Sequence, residues 1–158
     1  MQGLTLQQAC TIVDAVLVKG REMSLLPLTV AVLDPGGHLV AFKREDGSGI
    51  LRPEIATGKA WAALGMAVPT RKLRDRLADR PTFVNALSVA SGGRLIPVPG
   101  GVLIRNQNRE IIGAVGVSGD TSDKDEFCAI EGVRAAGLLA DPENPAPGWA
   151  DSTLGPND

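Results

Sequence analysis

The sequence has no tyrosine and is poor in histidine, cysteine and aromatic residues. Its 158 residues include one His, two Cys, three Phe and two Trp. One His and two separated Cys cannot supply the four ligands of a zinc-type cluster within one chain. So few aromatic rings also offer little surface on which nucleic-acid bases could stack. The composition therefore argues against zinc-cluster chemistry and against nucleic-acid binding.

Excess positive charge and long apolar runs are absent as well. The formal net charge is −2, with 16 Lys and Arg against 18 Asp and Glu, whereas nucleic acid and anionic membranes require a concentrated positive surface. No apolar stretch approaches the roughly 20 residues that span a bilayer, and the N-terminus lacks the pattern of a signal peptide. Cys10 and Cys128 lie in different predicted helices, which favours a buried, reduced pair over a disulfide or a reactive thiol. We therefore expect a cytoplasmic protein without a nucleic-acid or membrane partner.

The first half of the chain predicts a helix, a hairpin and two further helices. Thr5, with Gln8 three residues later, forms the capping box of the first helix. Strands at residues 28–34 and 38–44 flank a Pro-Gly-Gly turn, which indicates a β-hairpin. A helix rich in Ala and Gly runs from Pro53 to about residue 67. Thr70 is predicted to cap a third, basic helix.

The second half predicts another hairpin and a last helix. Turn residues 106–108 separate two branched, apolar strands. Alternation in the second of these strands places Ile111, Gly113, Val115 and Val117 on one face, and Ile112, Ala114 and Gly116 on the other. Two glycines inside a strand indicate that a helix, a ligand or another backbone lies close against it. We expect a short edge strand at residues 95–96 and a helix at 123–139, capped through Ser122 with Asp125 or Asp123 with Glu126.

These elements give an α+β domain with helices packed on an antiparallel sheet. We predict one domain at residues 1–140 and a Pro-rich C-terminal tail at residues 141–158, either extended along a neighbour or disordered.

Six segments occur in a fixed order along most of the chain. They are residues 32–42, Lys59-Ala60, Pro69-Thr70, Pro99-Gly100-Gly101, residues 112–119 and Asp125-Glu126. This order resembles the GlcG/HbpS family, also called the haem-degrading domain family, over about residues 4–140. It is also similar to the C-terminal half of one class of corrinoid adenosyltransferases. The resemblance implies a profilin-like sheet of about five strands, homo-oligomers of two or more subunits, haem as a ligand and, through glycolate-type operons, an acidic metabolite.

The residues themselves leave the cofactor undetermined. Haem iron is normally held by His, Cys, Met or Tyr, and His38, beside the Gly36-Gly37 turn, is the candidate ligand. A solvated His at the rim of a hairpin is the alternative. Two His ligands from one subunit are excluded because the chain contains a single His.

A pocket for a small anion is the leading functional hypothesis. Lys59 is the one charge predicted to be buried on the Ala-rich helix, where it could bind a carboxylate or act with a lowered pKa. Glycine turns at both ends of the second hairpin offer backbone N–H groups to an oxyanion. The candidate catalytic residues are Lys59, Glu54 and Asp125, and the candidate ligand-binding residues are Gly100, Gly101, Ser118, Gly119 and His38. The alternative is that Lys59 pairs with Asp125 and fixes the helix to the sheet.

Three functions follow from these observations. The first is binding of a small carboxylate or hydroxy acid, with an acid–base reaction on it left open. The second is haem or tetrapyrrole binding, and the third is a non-catalytic accessory subunit of an oligomer. No metal site is predicted, because the acidic residues at 120, 123, 125 and 126 lack the spacing of a calcium loop. The segment Gly116 to Asp120 also lacks the final glycine of a hydrolase nucleophile elbow.

Overall fold

The computed structural model describes residues 3–154, in which a five-stranded antiparallel sheet carries helices on both faces. The helices are α1 (Leu6–Glu22), α2 (Arg52–Met66), α3 (Thr70–Leu77), α4 (Pro81–Ala90) and α5 (Ser122–Ala135). The strands are β1 (Thr29–Leu33), β2 (Leu39–Arg44), β3 (Gly101–Arg105), β4 (Ile111–Ser118) and β5 (Leu139–Asp141). Their order in the sheet is β2-β1-β4-β3-β5, and each neighbouring pair is antiparallel. The predicted α+β class and the predicted sheet of about five strands are confirmed.

The sheet separates two apolar layers. Alternate residues of the central strands, such as Val30, Val32 and Val115, pack against α1 and α5. The intervening residues, including Leu33, Leu103 and Ala114, pack against Ala60 and Ala63 of α2. This division follows from the two-residue period of a strand. Helices α3 and α4 form a smaller apolar cluster beside α2, around Leu73, Leu77 and Leu95.

Close packing of α2 on β4 explains the small residues of both elements. A methyl group added at Gly116 would overlap the carbonyl of Ala56 on α2. The expectation that something lies close against this strand is therefore confirmed, and the neighbour is the Ala-rich helix. Because α2 sits this near to the sheet, any long side chain pointing inward from it is enclosed.

A bulge changes the predicted faces at the start of β4. The register with β3 shifts between Ile104 and Arg105, which pair with Gly113 and Ile111 respectively. Ile112 therefore joins the α1–α5 core with Val115, whereas Ile111 packs on the α2 side. The prediction that Ile111 shares a face with Val115 was wrong, since an extra residue in one strand reverses the alternation beyond it.

Several local predictions are corrected by the structure. Residues 95–96 form no strand, and the last helix ends at Ala135, after which Leu139–Asp141 pairs with β3 as the fifth strand. The side chain of Thr121, rather than Ser122 or Asp123, caps α5 by accepting a hydrogen bond from the Lys124 backbone. Thr70 is the first residue of α3 and makes no cap. The Thr5–Gln8 capping box of α1 is confirmed.

The two cysteines differ in exposure. Cys128 is buried and Cys10 is exposed, and both are free thiols. The expectation of a buried pair was therefore wrong for Cys10, which lies on the outer side of α1.

The C-terminal segment folds back over its own chain. Arg71 of α3 donates to the Asn144 carbonyl at 2.9 Å, and Trp149 stacks on Phe127 of α5 with ring centroids 3.7 Å apart. The predicted boundary at residue 140 falls inside β5. The division into a domain and a tail stays a prediction.

None of the helices in residues 3–154 combines the length and the apolar character needed to cross a bilayer.

Candidate functional site

A cleft opens between the edge strand β2, helix α2 and the loop that follows α4. Its volume is about 580 Å³, which is within the range of small-molecule sites. The residues that line it are Gly37, Leu39, Phe42, Pro53, Glu54, Thr57, Gly58, Trp61, Gly92, Gly93 and Arg94. Most of this lining is apolar or glycine, and Glu54, Thr57 and Arg94 supply the polar groups. The cleft can therefore accept a ligand with a broad apolar body and a few polar substituents.

Two glycines shape the walls of the cleft. Gly37 has a φ of +82°, and a Cβ there would lie 3.1 Å from the Trp61 indole. A Cβ at Gly58 would lie 2.7 Å from the Arg94 carbonyl. The absence of side chains at these positions lets the turn before β2 and the loop before Leu95 approach α2 closely.

Arg94 is restrained at the cleft by a hydrogen bond and a cation–π contact. Its Nε donates to the Ser91 carbonyl at 2.9 Å, and its guanidinium carbon lies 4.2 Å from the centre of the Trp61 ring. Cation–π stacking of this kind restrains a guanidinium while leaving its edge open. Within residues 3–154 the two terminal nitrogens form no ion pair or hydrogen bond, so they can receive a carboxylate.

His38 lies next to the cleft without lining it. Its side chain is 80% exposed, and Nδ1 lies 3.2 Å from the Asp34 carboxylate. The backbone N–H groups of His38 and Gly36 also donate to Asp34, and chiefly these bonds lower the pKa of that carboxyl. A histidine whose Nδ1 is held by a carboxylate can offer Nε2 to a metal.

Lys59 and Asp125 form a buried ion pair between α2 and α5. The exposed fractions of their side chains are 3% and 1%, and the Lys59 Nζ lies 3.3 Å from the Asp125 Oδ2. The same nitrogen donates to the Val117 carbonyl at 2.9 Å. The backbone N–H groups of Gly119 and Asp120 donate to the two oxygens of Asp125. A lysine and two peptide N–H groups thus converge on one carboxylate, and that carboxylate belongs to the protein.

Burial disfavours the charged form of both partners. It raises the pKa of Asp125 to about 6, against the opposing effect of the Lys59 ammonium. Burial also lowers the pKa of Lys59, which the Asp125 charge partly offsets. Because each charge compensates the other, removing either one leaves an uncompensated buried charge.

The remaining predicted ligand-binding residues are engaged within the protein. The Gly101 N–H donates to the Thr70 hydroxyl at 2.8 Å, which ties the start of β3 to the first residue of α3. The Ser118 hydroxyl accepts a hydrogen bond from Arg52 at 3.0 Å. A Cβ at Gly100 would lie 2.9 Å from the Lys59 amine, so this glycine leaves room for the lysine.

The predicted site residues therefore fall into two groups. Lys59, Asp125, Gly100 and Gly119 meet around the buried pair, with Gly101 and Ser118 in the adjoining strands. Glu54 faces the cleft on the other side of α2, and His38 lies beyond the cleft rim. The roles assigned to these residues stay predictions. Among residues 3–154, no group of three or more His, Cys, Asp or Glu side chains is placed to hold a metal ion.

Sequence reasoning missed Arg94 and Trp61 as site residues. The only local signal was the flexible Gly92-Gly93 pair directly before Arg94, and it gave no indication that the loop would return to α2. The sequence placed Glu126 in a capping pair, in an acidic cluster and in one segment of the family resemblance, without assigning it to the site. The structure buries it completely.

The fold and the cleft define a three-layer α+β domain with a ligand-sized cavity at one edge of its sheet. Over residues 4–134 the sequence matches the family described as haem degrading protein HbpS-like. The chain belongs to this family.

Proteins similar to this chain are known from sequence and from solved structures. An uncharacterised 15.0 kDa protein from Citrobacter freundii, from the dhaT-dhaS intergenic region, is 29% identical over 126 residues, which are 80% of this chain and 87% of that protein. Klebsiella pneumoniae ORFY is 28% identical with a TM-score of 0.77, covering 87% of this chain and 92% of its own. A double mutant of Streptomyces reticuli HbpS is 26% identical with a TM-score of 0.72, covering 85% and 87%. PduOC, solved as a haem complex, shares the fold with a TM-score of 0.78 at 22% identity, covering 87% and 97%.

Proposed function

We propose that the protein binds haem or a closely related tetrapyrrole in the cleft between β2 and α2. The observation that carries the proposal is the pairing of an apolar cavity with one guanidinium that is stacked on Trp61. Haem has a broad apolar ring and two propionate carboxylates. Leu39, Phe42 and Trp61 supply apolar surface for the ring, and Arg94 supplies a partner for a carboxylate.

Family membership supports the same ligand class. The family is described by haem degradation, and one structural relative was solved as a haem complex. Neither finding defines where the ligand sits in this chain, and the cleft is assigned from its own geometry.

His38 is the candidate axial ligand. Iron takes a neutral imidazole nitrogen, and a carboxylate on the other nitrogen fixes the tautomer and raises ligand basicity. The Asp34 carboxylate is positioned for that role, at 3.2 Å from Nδ1. The chain neighbours of His38, Gly37 and Leu39, both line the cleft, so His38 is the residue at the rim that would hold the iron.

Haemin titration of single variants tests the proposal. The absorption of bound haemin is followed in the Soret region for the wild type and for Arg94→Met. Loss of one charge-assisted contact is worth about 1.5–3 kcal/mol, so the dissociation constant is expected to rise by about 10- to 100-fold. His38→Ala is expected to shift the Soret band of the bound state, because it removes the iron ligand.

Arg80→Met is the matched control. Arg80 also stacks on an aromatic ring, with its guanidinium carbon 4.3 Å from the centre of Phe83, but it does not line the cleft. It should leave the affinity unchanged. Equal weakening by both Arg variants, or the absence of saturable binding to the wild type, contradicts the proposal.

The second candidate is a small carboxylate metabolite bound at Lys59. The observation in its favour is the convergence of the Lys59 amine with the N–H groups of Gly119 and Asp120 on one position. An external carboxylate can take that position only if Asp125 leaves it. The candidate catalytic residues Lys59 and Asp125 would then act as acid–base groups, whereas Glu54 faces the other side of the helix.

Thermal-shift measurements with acetate and glycolate separate a ligand site from an internal ion pair. If the position serves an external ligand, the wild type gains stability with either anion, and Lys59→Ala does not. If it serves only Asp125, the wild type is unaffected, and Asp125→Gly alone is stabilised, because the anion fills the vacated position.

A further inference from the structure

Glu126 is a buried carboxyl group with an unusual environment. Its exposed fraction is 0%, and neither carboxylate oxygen forms a hydrogen bond with any residue between 3 and 154. The nearest cation is Arg71, whose Nε lies 3.4 Å from Oε2. A buried carboxylate without hydrogen bonds is strongly disfavoured relative to its protonated form. Neither candidate function described above makes use of this group.

The C-terminal segment crosses the protein beside Glu126. Residues 142–152, called the strap below, are attached at several points along α3 and α5. The contacts are Arg71 with the Asn144 carbonyl, Arg134 with the Glu143 carbonyl, Thr121 with Ser152 at 2.6 Å, and Phe127 with Trp149 in a stack tilted by 12°. Arg71 therefore touches both the strap and Glu126. Displacement of the strap would bring water towards the carboxyl group.

Charged groups on three helices act on Glu126. Arg71 and Arg74 of α3 favour its ionised form, and Asp123 of α5 opposes it. Lys59 of α2 lies near enough to interact with its charge. The backbone of Ala146 in the strap also favours the ionised form. The charged side chains of the strap, Glu143 and Asp151, are exposed. Burial outweighs these attractions and raises the pKa of Glu126 to about 7.

We propose that the strap is a proton-controlled cover, closed most firmly while Glu126 is protonated and released as Glu126 ionises. Ionisation places a charge where neither carboxylate oxygen accepts a hydrogen bond from residues 3–154 and where Arg71, 3.4 Å away, is the nearest cation. Opening the strap exposes that charge to water, and its hydration stabilises the open state relative to the closed state. The Arg71 side chain couples the ionisation of Glu126 to the opening of the strap, because it contacts both Glu126 and the strap.

The direction of the pH dependence follows from proton linkage. In the closed state the pKa of Glu126 is about 7, and in an open, hydrated state it returns toward the ordinary value of 4.5. Between these two values the closed state holds the proton more tightly, so each unit of rising pH favours opening by up to about tenfold. Above pH 7 both states are ionised and the equilibrium becomes nearly constant.

Proteolysis of the full chain measures the opening. Chymotrypsin cuts after Trp149, which is stacked on Phe127 while the strap is closed. Cleavage of a transiently opened segment follows its population when opening and closing are fast. The rate for the wild type is divided by the rate for Glu126→Gln at each pH, which cancels the pH dependence of the protease. The ratio is expected to rise about 40-fold from pH 5 to pH 7 and about twofold from pH 7 to pH 8.

Two further variants keep the test conclusive. Glu143→Gln removes an exposed acid from the strap and should retain the pH dependence of the wild type. Arg71→Met removes the cation nearest to Glu126, so cleavage of this variant relative to the wild type should be constant below pH 7 and rise above it. A flat wild-type to Glu126→Gln ratio overturns the proposal. If Glu126→Gln does not fold, the proposal is overturned when the cleavage rate of Arg71→Met relative to the wild type stays constant above pH 7.

Discussion

Replacing Lys59 by Met should destabilise the protein strongly, because it leaves Asp125 without a counter-ion. Methionine keeps an unbranched, flexible side chain only one atom shorter than lysine, so the apolar packing of the helix is largely retained. What disappears is the ammonium 3.3 Å from Asp125 and its hydrogen bond to the Val117 carbonyl. The Asp125 oxygens keep only the N–H groups of Gly119 and Asp120.

The size of the effect depends on pH. In the wild type the pKa of Asp125 is already raised from 3.8 to about 6 by burial, with Lys59 holding it down. Without Lys59 the pKa rises further, so the native variant binds a proton that its unfolded chain has lost. A raised folded-state pKa means that stability falls as pH rises from 3.8 through the folded-state value. The cost of the substitution is therefore small near pH 5, grows above pH 6 and reaches roughly 3–5 kcal/mol at pH 8, the range measured for broken buried ion pairs.

Urea unfolding followed by far-UV circular dichroism at pH 5 and pH 8 measures this difference. Asp125→Asn is the complementary variant: it leaves Lys59 buried without a counter-ion and lowers the lysine pKa further. For a group with a lowered cationic pKa, stability rises with pH from the folded-state pKa up to 10.5. The two variants should therefore show opposite slopes between pH 6 and pH 9. A cost below about 1 kcal/mol for Lys59→Met at pH 8, or parallel slopes, would refute the assignment of a compensated buried pair.

Two further predictions concern the packing of α2 and α3 against the sheet. Gly116→Ala should destabilise the protein by about 1–3 kcal/mol or more, because a methyl group there meets the Ala56 carbonyl. Gly65→Ala should instead stabilise it by about 0.5–1 kcal/mol, since a methyl group there makes only an ordinary contact with Trp61 at 3.6 Å. Melting temperatures of the two variants check this, and a loss of stability in both would contradict it. Thr70→Val should cost about 1–3 kcal/mol, because it leaves the buried Gly101 N–H without an acceptor. Thr70→Ser should retain most of the stability, and equal losses for Val and Ser in urea unfolding would show that the hydroxyl is not what matters.

The predictable part of the fold is the part encoded by local chemistry. The Thr5–Gln8 capping box, the Pro-Gly-Gly turn between β1 and β2 and the proline at the start of α2 each specify a nearby backbone conformation. β5 was missed because three residues cannot display a strand period, and only pairing with β3 defines them. The bulge at Ile112 was missed because alternation alone cannot indicate where a register shifts.

Local sequence signals were also insufficient for the candidate site, whose residues are far apart in the chain. Lys59 and Asp125 were expected to be near each other, either as a site or as a pair, and they form an ion pair. Asp125 itself occupies the position where the Lys59 amine and the two backbone N–H groups converge. This placement depends on the path of the chain from β4 into α5, for which the sequence has no local signal. Arg94 and Trp61 meet only because Gly58 lets the loop before Leu95 reach α2. A contact of this kind, between elements more than thirty residues apart, requires the tertiary structure.

An NMR titration of the ¹⁵N-labelled chain with zinc protoporphyrin, a diamagnetic analogue of haem, tests the proposed cleft most directly. Glycine amides mark both candidate sites: Gly37, Gly92 and Gly93 line the cleft, and Gly100 and Gly119 lie around the Lys59–Asp125 pair. Binding in the cleft predicts saturable shifts of the first three amides, with the last two unchanged. Shifts centred on Gly100 and Gly119, or no saturable shift at all, would contradict it.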